Sequence, residues 1–138
     1  METILGSAKL KPNSLNPISL AYIGDAVYEI LVREHLALEG DRPPEQLHRL
    51  AVRFVSAKAQ AAAIEKIMPL LNEAEISAYK RGRNAKVSHI PKGASVAHYH
   101  SATGFEALFG HLYLTCQTER MRELFKIICE GEIIEQED

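Results

Sequence analysis

Two acidic residues, each beside a glycine in a helix-like segment, are the first candidates for chemistry. Asp25 follows Gly24 directly. Glu106 lies between Gly104 and Gly110. Glycine inside a helix costs about 1 kcal/mol relative to alanine, but it lets two helix backbones approach closely. If the two helices cross at these glycines, the carboxylates converge and favour a divalent cation such as Mg²⁺. The alternative is that each acid lies on a solvated helix surface.

A second candidate is a basic segment between the two acids. Its positively charged residues are Lys80, Arg81, Arg83, Lys86 and Lys92, with His89 among them and no acid. Clustered cations suit phosphate contacts, and arginine can direct two donors at one phosphate. The alternative is a solvated basic loop.

The histidines His98 and His100 are a weaker candidate for a metal or acid-base site. Two side chains at i and i+2 do not share a helix face, and no cysteine neighbours them, so they do not predict a zinc site. Together with Tyr99 they are interpreted as a polar entry to a helix near the substrate.

Capping residues and apolar spacing predict the helices that position these candidates. Asn16 is a typical N-cap, and Pro17 suits the first helical position because that position needs no amide donor. Helices are predicted at residues 17–35, 45–71 with a bend capped by Ser56, 72–82 and 99–115, with Thr118 capping a last one. The buried face of the first is predicted to comprise Leu20, Ile23, Val27, Ile30 and Leu31. Residues 83–97 are predicted to form a long loop, and no segment alternates as a strand would.

Composition sets the frame for this all-α prediction. A length of 138 residues fits a single domain at 1–138. The net charge is −2, and the five acids of residues 130–138 contribute −5, so the preceding residues carry +3 and an acidic tail is predicted at about 130–138. Cys116 and Cys129 are expected to be reduced and mostly buried. Because no leader and no apolar run of membrane-spanning length is visible, a cytoplasmic protein without membrane contact is expected.

Three sequence blocks, in this order, resemble the ribonuclease III endonuclease domain. The active-site blocks are residues 21–27 (AYIGDAV) and 103–114 (TGFEALFGHLYL). Between them, residues 81–86 (RGRNAK) look like the loop of the Mini-ribonuclease III branch. The resemblance covers about residues 15–131.

This resemblance implies a helical bundle with a metal-dependent endoribonuclease activity on double-stranded RNA. Asp25 and Glu106 would be catalytic metal ligands for Mg²⁺, with Mn²⁺ as a substitute, and the products would carry 5′ phosphate and 3′ hydroxyl ends. Tyr22 would lie at a homodimer contact, although it could instead belong to the core of one chain. The implied RNA-binding residues are Arg81, Arg83, Asn84, Lys86 and Lys92.

The implied substrate is precursor ribosomal RNA, particularly 23S RNA of the large subunit, and a ribosomal protein is a possible partner. The alternative is a non-catalytic RNA-binding or ribosome-associated module on the same fold.

The chain departs from full-length ribonuclease III at three acidic positions of the family. Ala21, Thr103 and Lys58 occupy those positions, so a tightly held second metal is not expected. Glu29 lies one helical turn after Asp25 and is interpreted as a surface acid, with a water-mediated metal contact as the alternative.

Overall fold

The structure is a computed structural model, and it describes residues 3–6, 10–86, 89–93 and 95–130. These residues form helices and no β-strand, which confirms the predicted all-α fold. The α-helices are α1 (Pro17–Glu39), α2 (Pro44–Val55), α3 (Ala57–Ile67), α4 (Glu73–Arg83), α5 (Val96–Leu114) and α6 (Thr118–Cys129), with short 3₁₀ helices at Pro12–Ser14 and Met68–Leu70. The predicted acidic tail, apart from Glu130, lies outside the described residues.

The predicted starts of three helices are confirmed by their capping contacts. Asn16 Oδ1 accepts a hydrogen bond of 2.8 Å from the Ile18 amide at the start of α1. Ser56 caps α3 and separates it from α2, as the predicted bend requires. Asn72 and Glu75 form a reciprocal capping box at the start of α4, so the orphan amides of that turn are satisfied.

Two predicted helix starts near the end of the chain are wrong. The helix α5 begins at Val96 rather than near Tyr99, because the Ser95 side chain accepts from the His98 amide. Thr118 is the first helical residue of α6 and not its cap, which is Gln117. The reason is the tight end of α5, where Cys116 adopts a left-handed φ of 58° and the Gln117 amide donates to the Leu112 carbonyl.

The long helix α5 forms the centre of the fold and packs against α1, α3, α4 and α6. Its residues Phe105, Leu108, Phe109 and Leu112 are fully buried. The predicted inward face of α1 is partly wrong, since Ile30 is 61% exposed. The residues of α1 that are buried are Leu20, Ala21, Gly24, Tyr28, Val32 and Leu36.

Two further predictions concern the cysteines and the membrane. Cys116 and Cys129 are not joined in a disulfide, as predicted, but each is only half-buried. No helix in the described part of the chain has the length and apolar character needed to cross a membrane.

Candidate active site

The crossing of α1 and α5 is a direct backbone contact at two glycines. A Cβ atom on Gly24 would lie 1.6 Å from the carbonyl oxygen of Glu106, and one on Gly110 would lie 2.2 Å from the carbonyl oxygen of Leu20. No side chain fits at either position. The expectation that these helices meet at their glycines is therefore confirmed for Gly24 and Gly110, whereas Gly104 faces Tyr79 of α4.

This crossing brings Asp25 and Glu106 together. The two carboxyl groups are close enough to share a hydrogen bond. Burial of Glu106, this hydrogen bond, and the negative charges of Asp25 and Glu29 raise the pKa of Glu106 to about 8. The pair is thus a site of crowded negative charge, which a cation relieves. Asp25 is exposed and Glu106 is half-buried, so the pair is open to solvent on one side.

The donor set around this pair fits a cation that keeps much of its water. Within the described ranges, no group of three or more His, Cys, Asp or Glu side chains is arranged to hold a metal ion. Glu29 forms an ion pair of 3.0 Å with Arg33. Two carboxylates completed by water match the preference of Mg²⁺ for oxygen ligands.

The three positions at which the family carries further acids contribute no carboxylate here. Ala21 is buried in a small apolar cluster. The Thr103 hydroxyl donates to the Tyr99 carbonyl at 3.0 Å, and Lys58 is exposed on α3.

The basic residues at the end of α4 have different surroundings. Arg83 lies 5.5 Å from the centre of the Tyr79 ring, and its Nε donates to Asn84 Oδ1. Lys86 is exposed beside a cavity of about 430 Å³ at the start of α1. Lys92 is exposed as well. Residues 87, 88 and 94 of the predicted basic loop lie outside the described residues.

Arg81 differs from these residues because its side chain bonds to a distant part of the chain. Its Nη2 donates to the carbonyl of Leu15 at 2.8 Å, and the residue is half-buried.

The sequence matches the Ribonuclease III domain family over residues 18–117, a span that contains both carboxylates and the end of α4. The chain belongs to the ribonuclease III family. It is 48% identical to Mini-ribonuclease 3 of Brevibacillus brevis over 124 residues, which cover 88% of this chain and 92% of the relative. It is 50% identical to Mini-ribonuclease 3 of Enterococcus faecalis over 112 residues, covering 80% and 85% of the two chains. The predicted resemblance to the Mini branch is confirmed, and the protein is an endoribonuclease.

A solved structure shares this fold. The crystal structure of a protein from Fusobacterium nucleatum superposes with a TM-score of 0.80 at 29% identity, covering 90% of this chain and all of that one.

Tyr22 of this ribonuclease III family member is 81% exposed on α1. The alternative that it belongs to the core of a single chain is therefore wrong. Ile18 and Ile30 are also exposed on this helix, so α1 presents apolar surface outward as well as inward.

A buried polar group between α4, α5 and α6 was not predicted from the sequence. Glu75 is 1% exposed and accepts hydrogen bonds of 2.8 and 2.9 Å from Nε and Nη2 of Arg120. Burial acts to raise the pKa of Glu75, but the bonds from Arg120 and the Asn72 amide outweigh it and lower that pKa. The capping box was visible in the sequence as Asn72 and Glu75, whereas no local signal pointed to Arg120.

The raised pKa of Glu106 predicts how the stability of the metal-free enzyme depends on pH. The unfolded carboxyl has a pKa near 4.5 and the folded one near 8, so the folded state binds more protons between these values. The stabilising contribution is complete below pH about 4.5 and is lost as pH rises through about 8. Urea midpoints measured with chelator should fall over this range more in the wild type than in Glu106→Gln. Equal slopes for the two proteins would contradict the assignment.

Proposed function

We propose that this enzyme is a divalent-metal-dependent endoribonuclease that cleaves double-stranded RNA and leaves 5′ phosphate and 3′ hydroxyl ends. The observation that carries the proposal is the convergence of Asp25 and Glu106 at the glycine crossing. Family membership supports the same chemistry.

In this proposal Asp25 and Glu106 hold the cation, which is Mg²⁺ with Mn²⁺ as a substitute. Such an ion, when bound, lowers the pKa of a coordinated water and stabilises charge on the phosphoryl group. Backbone contact at Gly24 and Gly110 sets how closely α1 and α5 approach each other beside the two carboxylates. The exposed side of Asp25 leaves an approach for the substrate.

The direct test uses long double-stranded RNA with Mg²⁺, with Mn²⁺, and with chelator. Cleavage only when a metal ion is supplied supports the proposal. Binding without cleavage under all three conditions would favour the non-catalytic RNA-binding module, and neither binding nor cleavage would reject both.

We further propose that Arg83, Asn84, Lys86 and Lys92 contact RNA phosphates. A-form RNA hides its base edges in a deep, narrow groove, so recognition by backbone and shape suits a surface of cations and small residues. The exposed side chains of Lys86 and Lys92 support this. Arg81 is excluded from the set because its guanidinium is bound to the Leu15 carbonyl.

Removal of three of these cations should weaken RNA binding in a salt-dependent way. Each phosphate contact contributes about 0.9 to the slope of log affinity against log salt concentration. The variant Arg83→Ala, Lys86→Ala, Lys92→Ala should therefore bind with a slope shallower by roughly two to three. Binding is measured in the Asp25→Asn background, which prevents cleavage during titration.

The matched control for this variant removes three exposed cations elsewhere on the chain, Lys11, Arg122 and Lys126. It loses the same net charge but should keep the wild-type slope. Equal slopes in the two triple variants would show that the loop cations are solvated rather than bound to RNA.

We propose that the enzyme acts as a homodimer through the outer face of α1. The exposed apolar side chains of Ile18, Tyr22 and Ile30 support this proposal, since exposed apolar patches commonly mark association surfaces. Two symmetric sites would allow one cut in each strand of a duplex.

Tyr22→Asp should convert this dimer to a monomer, because burying an unpaired carboxylate at an interface costs on the order of a few kcal/mol. Sedimentation equilibrium at micromolar concentration measures the oligomeric state. Tyr22→Phe is the matched control and should remain dimeric. A wild-type monomer that cleaves duplex RNA at full rate would contradict the proposed assembly.

For the natural substrate we propose precursor 23S ribosomal RNA in the cytoplasm, with a ribosomal protein as a possible partner that presents it. The likeness to Mini-ribonuclease 3 relatives supports this proposal. The test is cleavage of a precursor 23S transcript, alone and after assembly with large-subunit proteins, against an unrelated duplex of equal length.

A further inference from the structure

Arg81 is a cation with an unusual environment for an RNA-binding protein. One of its terminal nitrogens, Nη2, donates to the Leu15 carbonyl at 2.8 Å. The other, Nη1, is buried and has no hydrogen-bond partner within the described residues. No carboxylate in that part of the chain forms an ion pair with Arg81. Holding such a charge away from water is costly, so its presence here calls for a structural or functional role.

The groups that face Arg81 do not supply a counter-charge. Burial and then the charge of Arg81 lower the pKa of His111, while the charge of Glu75 acts in the opposite direction. Glu75 is itself bound to Arg120. The carbonyl of Leu15 is thus the one hydrogen-bond acceptor that Arg81 engages among the described residues.

Leu15 connects this bond to the active site. It directly precedes Asn16, the N-cap of α1. Its side chain packs against a small cluster formed by Leu20, Ala21 and Ala107. Ala21 lies one helical turn before Asp25, and Ala107 follows Glu106 directly.

The cluster therefore contains residues close in sequence to both carboxylates. Arg81 binds the backbone of Leu15, which packs against this cluster. The glycine contacts fix the distance between α1 and α5 at their crossing. They leave the start of α1 to be fixed by other contacts, and the bond from α4 to Leu15 is one of these.

We propose that Arg81 is a positioning residue that ties α4 to the start of α1 and so holds Asp25 in register with Glu106, rather than contacting RNA. This inference rests on the proposed function, since its readout is RNA cleavage. It separates Arg81 from the exposed Lys86 and Lys92, and from Arg83, whose one hydrogen bond among the described residues is to its neighbour Asn84.

The test compares Arg81→Gln and Arg81→Lys with two arginine controls. Arg83→Gln removes a proposed phosphate contact, and Arg122→Gln removes an exposed cation on α6. The kcat, the KM and the salt dependence of binding are measured well below the lowest melting temperature. For Arg81→Gln we expect kcat to fall on the order of tenfold to a hundredfold, as for a misplaced catalytic group, with KM and the salt slope unchanged.

The other variants have distinct expected results. Arg81→Lys should recover part of the lost kcat, because an ammonium group can still donate to one carbonyl. Arg83→Gln should raise KM and flatten the salt slope by about 0.9. Arg122→Gln should match the wild type in every measurement. If Arg81→Gln does not fold, Arg81→Lys carries the test, with a smaller loss of kcat and an unchanged slope.

Two outcomes would overturn the inference while leaving the proposed function intact. A flatter salt slope for Arg81→Gln with unchanged kcat would make Arg81 a phosphate contact. A lower melting temperature with unchanged kcat would make it a general stabilising residue. If the wild-type enzyme itself fails to cleave duplex RNA with Mg²⁺ or Mn²⁺, the proposed function fails and this inference fails with it.

Discussion

Asp25→Asn is expected to abolish cleavage of double-stranded RNA while the fold and RNA binding are retained. The substitution keeps the volume of the side chain but removes the charge that would hold the metal ion. Loss of metal assistance is worth several kcal/mol of barrier, or on the order of a thousandfold in rate. The stability of the folded state should not fall, because the substitution removes a negative charge that disfavours ionised Glu106 and raises its pKa. Single-turnover cleavage and equilibrium binding of the same duplex measure the two properties separately.

Glu106→Gln is expected to show the same loss, since both carboxylates face one site. Glu29→Gln is the matched control, because Glu29 lies one turn after Asp25 and is paired with Arg33. It should cleave at close to the wild-type rate. Normal cleavage by Asp25→Asn together with an inactive Glu106→Gln would place the reaction centre elsewhere along α5.

The crossing of α1 and α5 could be predicted because its signal is local. Glycine is costly inside a helix, so Gly24 and Gly110 indicated a close backbone approach. The same reasoning did not assign each glycine to its partner, and Gly104 in fact contacts Tyr79 of α4. A glycine inside a helix indicates that another group packs closely against the backbone, but tertiary packing determines which group that is.

The surroundings of Arg81 could not be predicted for a related reason. Its acceptor, the Leu15 carbonyl, lies 66 residues earlier in the chain. Every residue has a backbone carbonyl, so the sequence does not indicate which one accepts this hydrogen bond. Composition placed Arg81 with Arg83 and Lys86 as equivalent cations. The structure distinguishes Arg81 by its bond to the Leu15 carbonyl and its buried Nη1, which depend on how α4 packs against the start of α1.

The face of α1 illustrates a limit of periodicity. Ile30 fits the apolar spacing of the helix but is 61% exposed, because α1 carries apolar residues on more than one face. Apolar periodicity identifies that a residue is suited to burial. It does not say whether the burying partner is α5 or a second copy of the chain, which is the partner proposed for the face around Tyr22.

Gly24→Ala is expected to impair both folding and catalysis, because no Cβ atom fits at the helix crossing. An added Cβ would lie 1.6 Å from the Glu106 carbonyl oxygen and 2.7 Å from the Gly110 amide nitrogen. Both neighbours are backbone atoms, so α1 and α5 must separate. Overpacking costs about 1–3 kcal/mol and occasionally more. A clash with two backbone atoms is expected at the upper end of this range, above the roughly 1 kcal/mol gained in helix propensity. Urea unfolding should report the net loss of stability.

The catalytic effect of Gly24→Ala should exceed its effect on the folded population, since separating the helices also separates Asp25 from Glu106. A displacement of about 1 Å at a catalytic group costs on the order of a hundredfold in rate. Gly40→Ala is the matched control, because no atom lies within 4 Å of its added Cβ although its φ of 147° is unfavourable for alanine. It should lose some stability and keep its activity per folded molecule. If Gly24→Ala also keeps that activity, the separation of the two carboxylates is not set by the backbone contact at Gly24.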